Sequence, residues 1–318
     1  MANQSNKRYI HQLWEFDDFD EFLTELEVPL TMAQRKAWSY HPDDEVPEVP
    51  SEKPVDEIDA DRWYGSQNWD EGLNFARGGW SHGFEEFSDK LDTLSPYVSA
   101  AVGVQSEDFA PAGYMPHVPA FCAGSPACMY TQGETYTART PVLRFLVHVG
   151  ANSHVNGESF IRRGAALCAV IDYFESIGTR CEVELVDVAY AAGRDANGKL
   201  VNVMIDTRIP AKRAEEAIEP DRFAFMLCNP TVQRRFLFRL EEKVQAAGPY
   251  MRGMYGTTKD AEPDVDQIYI PQLENFYSDE DALRHVLERV SEYLEPEYRE
   301  RISEDWAEVI NYGVAVGR

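Results

Sequence analysis

The chain has 318 residues, with 55 aspartates and glutamates against 30 lysines and arginines, which gives a formal net charge of −25. This length is enough for one large domain or two small ones with a buried core, and the charge repels a nucleic-acid backbone on average while favouring basic partner surfaces. Five dispersed cysteines, together with the lack of an apolar segment behind the N-terminus and of any 18-residue apolar stretch, predict a cytoplasmic protein with free thiols, no signal peptide and no membrane span.

Residues 1–41 predict an N-terminal helical arm. An apolar stripe from Phe16 to Leu26 is flanked by acidic residues that suit the first turn of a helix. Thr31 is placed to cap a second helix that reaches Trp38. We expect this arm to pack on the main body.

Residues 42–61 predict a linker. Four prolines punctuate nine acidic residues in this segment, and both mutual repulsion and blocked backbone hydrogen bonding favour an extended chain. The sequence therefore places a domain boundary here.

Residues 62–140 predict a helical pair followed by a long loop region. Apolar faces recur on both sides of a break at Gly78 and Gly79, which favours two helices between residues 66 and 94. Residues 95–140 are rich in proline, glycine and tyrosine, and a connection of this length is typical of a functional or partly structured loop. We expect it to wrap over one edge of a sheet.

Residues 141–318 predict an α/β domain. The apolar run over residues 143–150 is typical of a strand buried on both faces. A helix follows from Asn156 to Ile177, and Gly164 inside it predicts a close approach of helix and sheet. The alternating strand over residues 181–188 then completes a right-handed parallel βαβ unit. Asn197 and Gly198 predict a hairpin that leads to an antiparallel edge strand over residues 200–207.

Beyond Pro210 we predict a short helix over residues 211–218, a fourth strand over 223–228, a helix over 231–246, a last parallel strand over 266–271, and helices over 278–294 and 297–310. The predicted fold class is α/β, with a mixed, mostly parallel sheet, an antiparallel edge strand and flanking helices, plus the N-terminal helical arm.

The order of strand, helix, strand, hairpin and antiparallel strand resembles the von Willebrand factor A domain over about half of the chain. Domains of that family usually bind a metal through an Asp-x-Ser-x-Ser motif in the loop after the first strand. Here the loop from His148 to His154 has neither the leading aspartate nor any carboxylate, and a hard cation such as Mg²⁺ wants carboxylate oxygens. The resemblance therefore implies the topology without a working metal site.

Four segments carry a second resemblance: WDEG at residues 69–72, GWSHG at 79–83, PAFCAGSPACM at 119–129 and FIRRGAA at 160–166. They look like a family of uncharacterised tailed-phage and bacterial proteins, over roughly residues 69–205. This likeness implies a phage or mobile-element origin and brings no known activity with it.

The loop after the first central strand is the first candidate site. His148, Asn152, Ser153 and His154 lie where ligands bind in open α/β sheets, and Asp206 could join them. One interpretation is a ligand or partner loop, or a catalytic pocket with His154 as acid or base. The other is that His148 is a core histidine with satisfied hydrogen bonds and that the loop only caps the helix.

A basic helical stripe is the second candidate site. Arg234, Arg235, Arg239 and Lys243 alternate with phenylalanines, a composition that could bind single-stranded nucleic acid through charge and stacking. The alternative is that neighbouring glutamates neutralise the stripe and the aromatic rings are core.

Cys122, Cys128 and His117 form a weak candidate zinc group, since the five-residue gap and the lack of a second pair depart from zinc spacing. The sequence has no phosphate loop, zinc-protease motif, nucleophile elbow or dinucleotide fingerprint. We therefore predict no catalytic residues, metal or cofactor.

Three functional hypotheses follow. The first is a non-catalytic, phage-type intracellular adaptor that binds a protein partner. The second is a phage transcription or replication accessory that binds single-stranded DNA and recruits a polymerase. The third is a hydrolase or nuclease that uses His148, His154 and Asp206, which requires those side chains to converge.

Overall fold

A computed structural model describes residues 7–102, 107–110, 115–116, 126, 129–132, 142–176 and 179–292. The strands are β1 (Lys7–Glu15), β2 (Glu107–Ala110), β3 (Met115–Pro116), β4 (Met129–Gln132), β5 (Val142–His148), β6 (Arg180–Arg194), β7 (Leu200–Lys212) and β8 (Gln267–Ile270). The helices are α1 (Phe19–Glu27), α2 (Met32–Trp38), α3 (Glu57–Asp59), α4 (Trp69–Gly78), α5 (Ser81–Val102), α6 (Gly157–Ser176), α7 (Pro220–Cys228), α8 (Phe238–Lys243), α9 (Gly248–Met251) and α10 (Asp279–Ser291). A 3-10 turn covers Pro50–Glu52, and π-helical turns cover Ala60–Tyr64 and Val232–Leu237.

The main sheet has five strands in the order β1-β7-β6-β5-β8. β5 is parallel to β6 and to β8, β6 is antiparallel to β7, and β1 is parallel to β7. The predicted class, a mixed and mostly parallel sheet flanked by helices, is confirmed. β2, β4 and β3 form a separate antiparallel sheet.

β1 is one of the elements that the sequence analysis missed, together with β2, β3 and β4, which lie in the segment 95–140 that was predicted as a loop. β1 pairs with β7 from Lys7↔Leu200 to Glu15↔Arg208. The predicted antiparallel strand is therefore present as β7. It is not the edge strand, because β1 pairs with its outer side and forms the edge of the sheet. The two helices predicted next are confirmed as α1 and α2, and Thr31 caps α2 in a capping box with Gln34.

The helix layer covers one face of the sheet. Alternate residues of the central strands, among them Val147, Leu185 and Ile205, point into two apolar clusters that include side chains of α1, α2, α4, α5, α6, α7 and α10. The opposite face has a small cluster around Leu146 and Val186, which Ala261 covers. Over β1, the side chains of Tyr9, His11 and Leu13 on the second face are exposed, and no described segment covers them.

Two predicted elements beyond Pro210 are wrong. Residues 223–228 belong to helix α7 and are not a strand, and Ala211 and Lys212 end strand β7 where a short helix was predicted. Every residue from Phe223 to Cys228 is buried. A helix buried on all sides has the same continuous apolar run as a buried strand, so periodicity could not separate them.

Other predictions in this half are confirmed. The last parallel strand is β8, and α10 begins at the predicted cap, where the Ser278 hydroxyl accepts a hydrogen bond from the amide of Asp281. The helix predicted over residues 231–246 is present as the Val232–Leu237 π-turn followed by α8. The predicted helix over 297–310 lies outside the described residues.

The acidic segment 42–61 lies against the helix layer. Val49 and Ser51 are fully buried, and the Ser51 amide and hydroxyl both donate to Glu242. These contacts join the segment to α8. The division of the chain into an arm, a linker and two further regions stays a prediction.

Gly164 is the point where α6 meets α7, rather than the sheet. A Cβ at this position would lie 2.2 Å from Cys228 Sγ and 2.8 Å from the Leu227 carbonyl oxygen. We expect Gly164→Ala to lower the free energy of unfolding by about 1–3 kcal/mol, since a backbone carbonyl cannot move aside. Chemical denaturation measures the free energy of unfolding of this variant. The control is Gly253→Ala, in which the added Cβ meets no atom within 4 Å, so its stability is expected to change little. Gly198→Ala is a poor control, because Gly198 has a positive φ. Equal stability of both variants would contradict the close approach.

Candidate functional site

His148 ends strand β5 and is fully buried. Its Nδ1 accepts the amide N–H of Gly150 at 3.0 Å, which fixes the proton on Nε2. Nε2 lies 2.7 Å from the Lys259 carbonyl oxygen and 3.0 Å from the Thr258 hydroxyl. Burial lowers the pKa of His148 to about 4. The imidazole is therefore neutral and its hydrogen bonds are satisfied, as the second interpretation predicts.

The remaining loop residues lie apart from His148. Ser153 and His154 are exposed and Asn152 is partly exposed. The Ser153 carbonyl accepts from the Trp63 indole, and the His154 carbonyl accepts from the Asn275 side chain. The loop is thus fastened through its backbone and presents its side chains to solvent.

Asp206 does not join that loop. It lies on β7, opposite Val188 of β6, and its Leu13 neighbour is on β1. The hydrogen bonds of His148 go to other groups. Burial raises the pKa of the Asp206 carboxyl, against the opposing effect of Arg208 and His11. The convergence of His148, His154 and Asp206 that a hydrolase requires is not found in the described structure.

The predicted basic stripe is buried. Arg234 is 1% exposed and donates to the carbonyls of Trp63 and Val155 at 2.7 and 2.6 Å. Arg235 is 0% exposed and donates to the carbonyls of Ser51, Lys53 and Ser66 and to the Ser66 hydroxyl. Burial lowers the pKa of Arg234 to about 9 and that of Arg235 to about 10.

Arg239 and Lys243 have acidic partners. Arg239 pairs with Glu52, and Lys243 pairs with the carboxylate and carbonyl of Glu25. Their side chains are 5% and 7% exposed. The prediction of a nucleic-acid surface from Arg234 to Lys243 is therefore wrong for the folded chain, because these four side chains fasten the segments around residues 25, 52 and 63 to the interior.

Three buried acids form a feature that the sequence analysis missed. Asp187 on β6 and Glu241 and Glu242 on α8 are at most 5% exposed. Burial raises the pKa of Asp187 to about 7 and that of Glu242 to about 8. Burial also raises the pKa of Glu241 well above its usual value, and the negative charges of Asp187 and Glu242 raise it further. The sequence contained a signal for Asp187. Glu182 and Glu184 occupy outward-facing positions of β6, whereas Asp187 is an acid at an inward-facing position.

The open face of the sheet exposes apolar side chains on β1. Tyr9 is 67% and Leu13 is 44% exposed, four residues apart on the face away from the helices. In the described chain no strand pairs with the outer edge of β1. This edge and the adjoining face form a surface, called here the β1 surface, that consists of Tyr9, His11, Leu13 and the outer edge of β1.

A cleft of about 390 Å³ lies between the start of α1, the end of β7 and the start of α7. Its basic side chains are already paired: Arg222 with Asp20, Arg213 with Glu216, and Lys212 with Glu175. The cleft therefore offers a ligand little uncompensated charge.

Cys122, Cys128 and His117 lie outside the described residues. Within the described ranges, no three histidine, cysteine, aspartate or glutamate side chains converge as a metal site. No helix in the same ranges is long and apolar enough to cross a membrane.

A family model described as a domain of unknown function, DUF7192, matches residues 3–297. No curated protein matches the chain, and no solved structure matches it either. Since the match covers nearly the whole sequence, the chain belongs to the DUF7192 family.

Proposed function

We propose that the protein is a non-catalytic, intracellular adaptor that binds a protein partner through the β1 surface. The observation that carries this proposal is the arrangement of helices on one face of the sheet, which leaves Tyr9 and Leu13 exposed beside an unpaired strand edge in the described chain. The phage-type origin and the cytoplasmic location remain part of the same proposal.

The β1 surface has the properties of a strand-pairing site. Nine residues of β1 span roughly 30 Å at about 3.3 Å per residue. An unpaired edge presents backbone N–H and C=O groups that another chain can pair with, and side-chain contacts on the open face add specificity. The two hydrophobic side chains lie on that face, where a docked strand would contact them.

The net charge of −25 favours a basic partner and disfavours a second copy of this chain, because like charges repel at contact. The alternatives find less support. The nucleic-acid hypothesis depended on four side chains that are buried, and the hydrolase hypothesis depended on three that do not meet.

Affinity capture from cells that naturally express the protein tests the proposal. We expect the intact chain to retain a protein partner after nuclease treatment, and the double variant Tyr9→Ser with Leu13→Ser to retain at least tenfold less, because the apolar contacts are lost.

The matched control replaces two other exposed hydrophobic residues, Val265→Ser with Tyr277→Ser, which are 100% and 89% exposed. This control is expected to retain the partner at the level of the intact chain. Loss of all partners on nuclease treatment, or equal retention by the double variant and the intact chain, would rule out the β1 surface as the adaptor site.

A further inference from the structure

Charge is distributed unevenly along β1. The basic residues Lys7 and Arg8 begin the strand, whereas the acid Glu15 ends it, and Asp17 and Asp18 follow. When two copies of such a strand lie antiparallel, the basic beginning of each copy lies beside the acidic end of the other. Opposite charges at facing positions of neighbouring strands are stabilising. The charge pattern of β1 is therefore complementary to itself.

The exposed residues of β1 follow the same symmetry. Tyr9, His11 and Leu13 are exposed at alternate positions, and His11 is the middle one. In an antiparallel pair centred on His11, Tyr9 of each copy lies opposite Leu13 of the other, and Lys7 lies opposite Glu15. Residues directly opposite in such a ladder share one face of the sheet, with Cα atoms about 4.5–5.5 Å apart. One register thus pairs apolar with apolar residues and basic with acidic residues.

Neighbouring registers lose this match. A shift by one residue turns the side chains of one copy to the other face. A shift by two residues keeps the faces but places Tyr9 opposite either Glu15 or His11, so Tyr9 and Leu13 no longer meet. The pairing centred on His11 is therefore the favoured register.

The outer edge of β1 has backbone groups for such a ladder. β7 pairs with the inner side from Lys7↔Leu200 to Glu15↔Arg208, and no strand of the described chain pairs with the outer side. The Leu13 carbonyl oxygen accepts a hydrogen bond from the Gln12 side chain at 2.9 Å. A side chain of the same strand thus supplies a donor that a neighbouring strand could supply. An unpaired edge of this kind is a template for pairing with another chain.

The net charge of −25 opposes contact between two copies of the chain. At about 0.15 M salt, however, the Debye length is about 8 Å, so the exposed charges in distant parts of the two copies are largely screened from each other. The facing residues of a ladder lie well within this length. We expect a weak association, since a contact between two strand edges is small.

We propose that β1 pairs with β1 of a second copy of this chain, antiparallel and centred on His11, so that the two five-stranded sheets become continuous. A contact of this kind has two-fold symmetry and closes on itself. The strand of an adaptor partner would use the same edge, so the second copy and the partner exclude each other. The self-pairing itself requires no partner.

Cysteine cross-linking of the purified, full-length protein tests the register. His11→Cys lies opposite itself, within the Cα separation of about 4.4–6.8 Å that a disulfide spans, and is expected to give a covalent dimer on mild oxidation. Gln12→Cys is the matched control, because in this register it faces Ile10 and lies more than about 7 Å from its own copy. Non-reducing electrophoresis measures the dimer, and the oxidised wild type gives the background of the native cysteines.

A charge exchange tests the pairing of facing residues by sedimentation velocity. Lys7→Glu and Glu15→Lys are each expected to raise the dissociation constant of the dimer at least tenfold, because each places like charges opposite each other. The double variant restores opposite charges and is expected to recover most of the affinity. Glu45→Lys changes the net charge as Glu15→Lys does, but at an exposed site away from β1, and is expected to leave the dimer intact.

A wild type that sediments as a monomer at millimolar concentration would overturn the proposal. So would equal cross-linking of His11→Cys and Gln12→Cys, or a double variant that is as weak as the single variants. Circular dichroism confirms that each variant is folded. Failure of the adaptor proposal leaves these measurements unaffected, because the purified protein contains no partner.

Discussion

Arg235→Met is expected to lower the free energy of unfolding by about 3 kcal/mol or more. The guanidinium donates to three backbone carbonyls, those of Ser51, Lys53 and Ser66, at 3.1, 2.9 and 2.8 Å, and it is completely buried. Methionine fills much of the volume but leaves those carbonyls without donors in the interior. Each unsatisfied buried acceptor costs about 1–3 kcal/mol.

The midpoint of urea denaturation measures this effect. Arg252→Met is the matched control, because Arg252 is exposed and a surface substitution usually changes stability by less than about 0.5 kcal/mol. Arg235→Lys is expected to lie between the two, since an ammonium lacks the planar fork that reaches several acceptors. A loss of under about 1 kcal/mol in Arg235→Met would mean that Arg235 does not hold the 51–66 segment in place.

Protonation of His148 is expected to make an unfavourable contribution to stability as the pH falls. The folded-state pKa of about 4 lies below the ordinary 6.5, so the unfolded state binds the proton first. The stability that neutral His148 contributes is fully present above pH 6.5 and is lost as the pH falls through 4. A shift of this size corresponds to about 3 kcal/mol. His285, whose pKa burial also lowers to about 4, acts in the same direction. The buried acids Asp187 and Glu242, whose pKa burial raises to about 7 and about 8, act in the opposite direction, because their folded forms bind the proton first.

Denaturation midpoints between pH 4 and pH 7 test this expectation. His148→Asn keeps an acceptor for the Gly150 amide and removes the titrating ring, so its stability relative to that of the wild type is expected to rise as the pH falls over this window. His154→Asn is the control, because His154 is exposed, and it is expected to keep the slope of the wild type. An unchanged slope in His148→Asn would show that protonation of His148 does not limit acid stability.

The central βαβ unit could be predicted because its signals are local. The apolar run of β5, the stripe of α6 and the Asn197-Gly198 turn each lie within a single window of sequence, and together they specify three adjacent strands. The caps of α2 and α10 could be predicted for the same reason, since a cap and its partner amide are three residues apart.

β1 and the buried arginines could not be predicted in this way. β1 has a weak alternation in which Ile10 and Trp14 point to the helix layer and Tyr9 and Leu13 point away, and its partner strand begins at Leu200. Arg234 and Arg235 have the spacing of a surface stripe, and their burial depends on the carbonyls of residues 51–66 and of Val155, which the fold brings to them. The loop between β5 and α6 could be located from the sequence. The burial of Asp187 could not, because it depends on which face of β6 points to the helices.

The pairing of β1 with β7 has a consequence for synthesis on the ribosome. Lys7 and Leu200 are partners although 193 residues separate them. At about 5–20 residues per second, β7 emerges roughly 10 to 40 s after β1. During that interval the nascent segment that contains Tyr9 and Leu13 has no partner strand. Closing the long loop between β1 and β7 is also slow. β1 is therefore incorporated into the sheet only after β7 has emerged, and during that interval a chaperone can bind its exposed backbone edge.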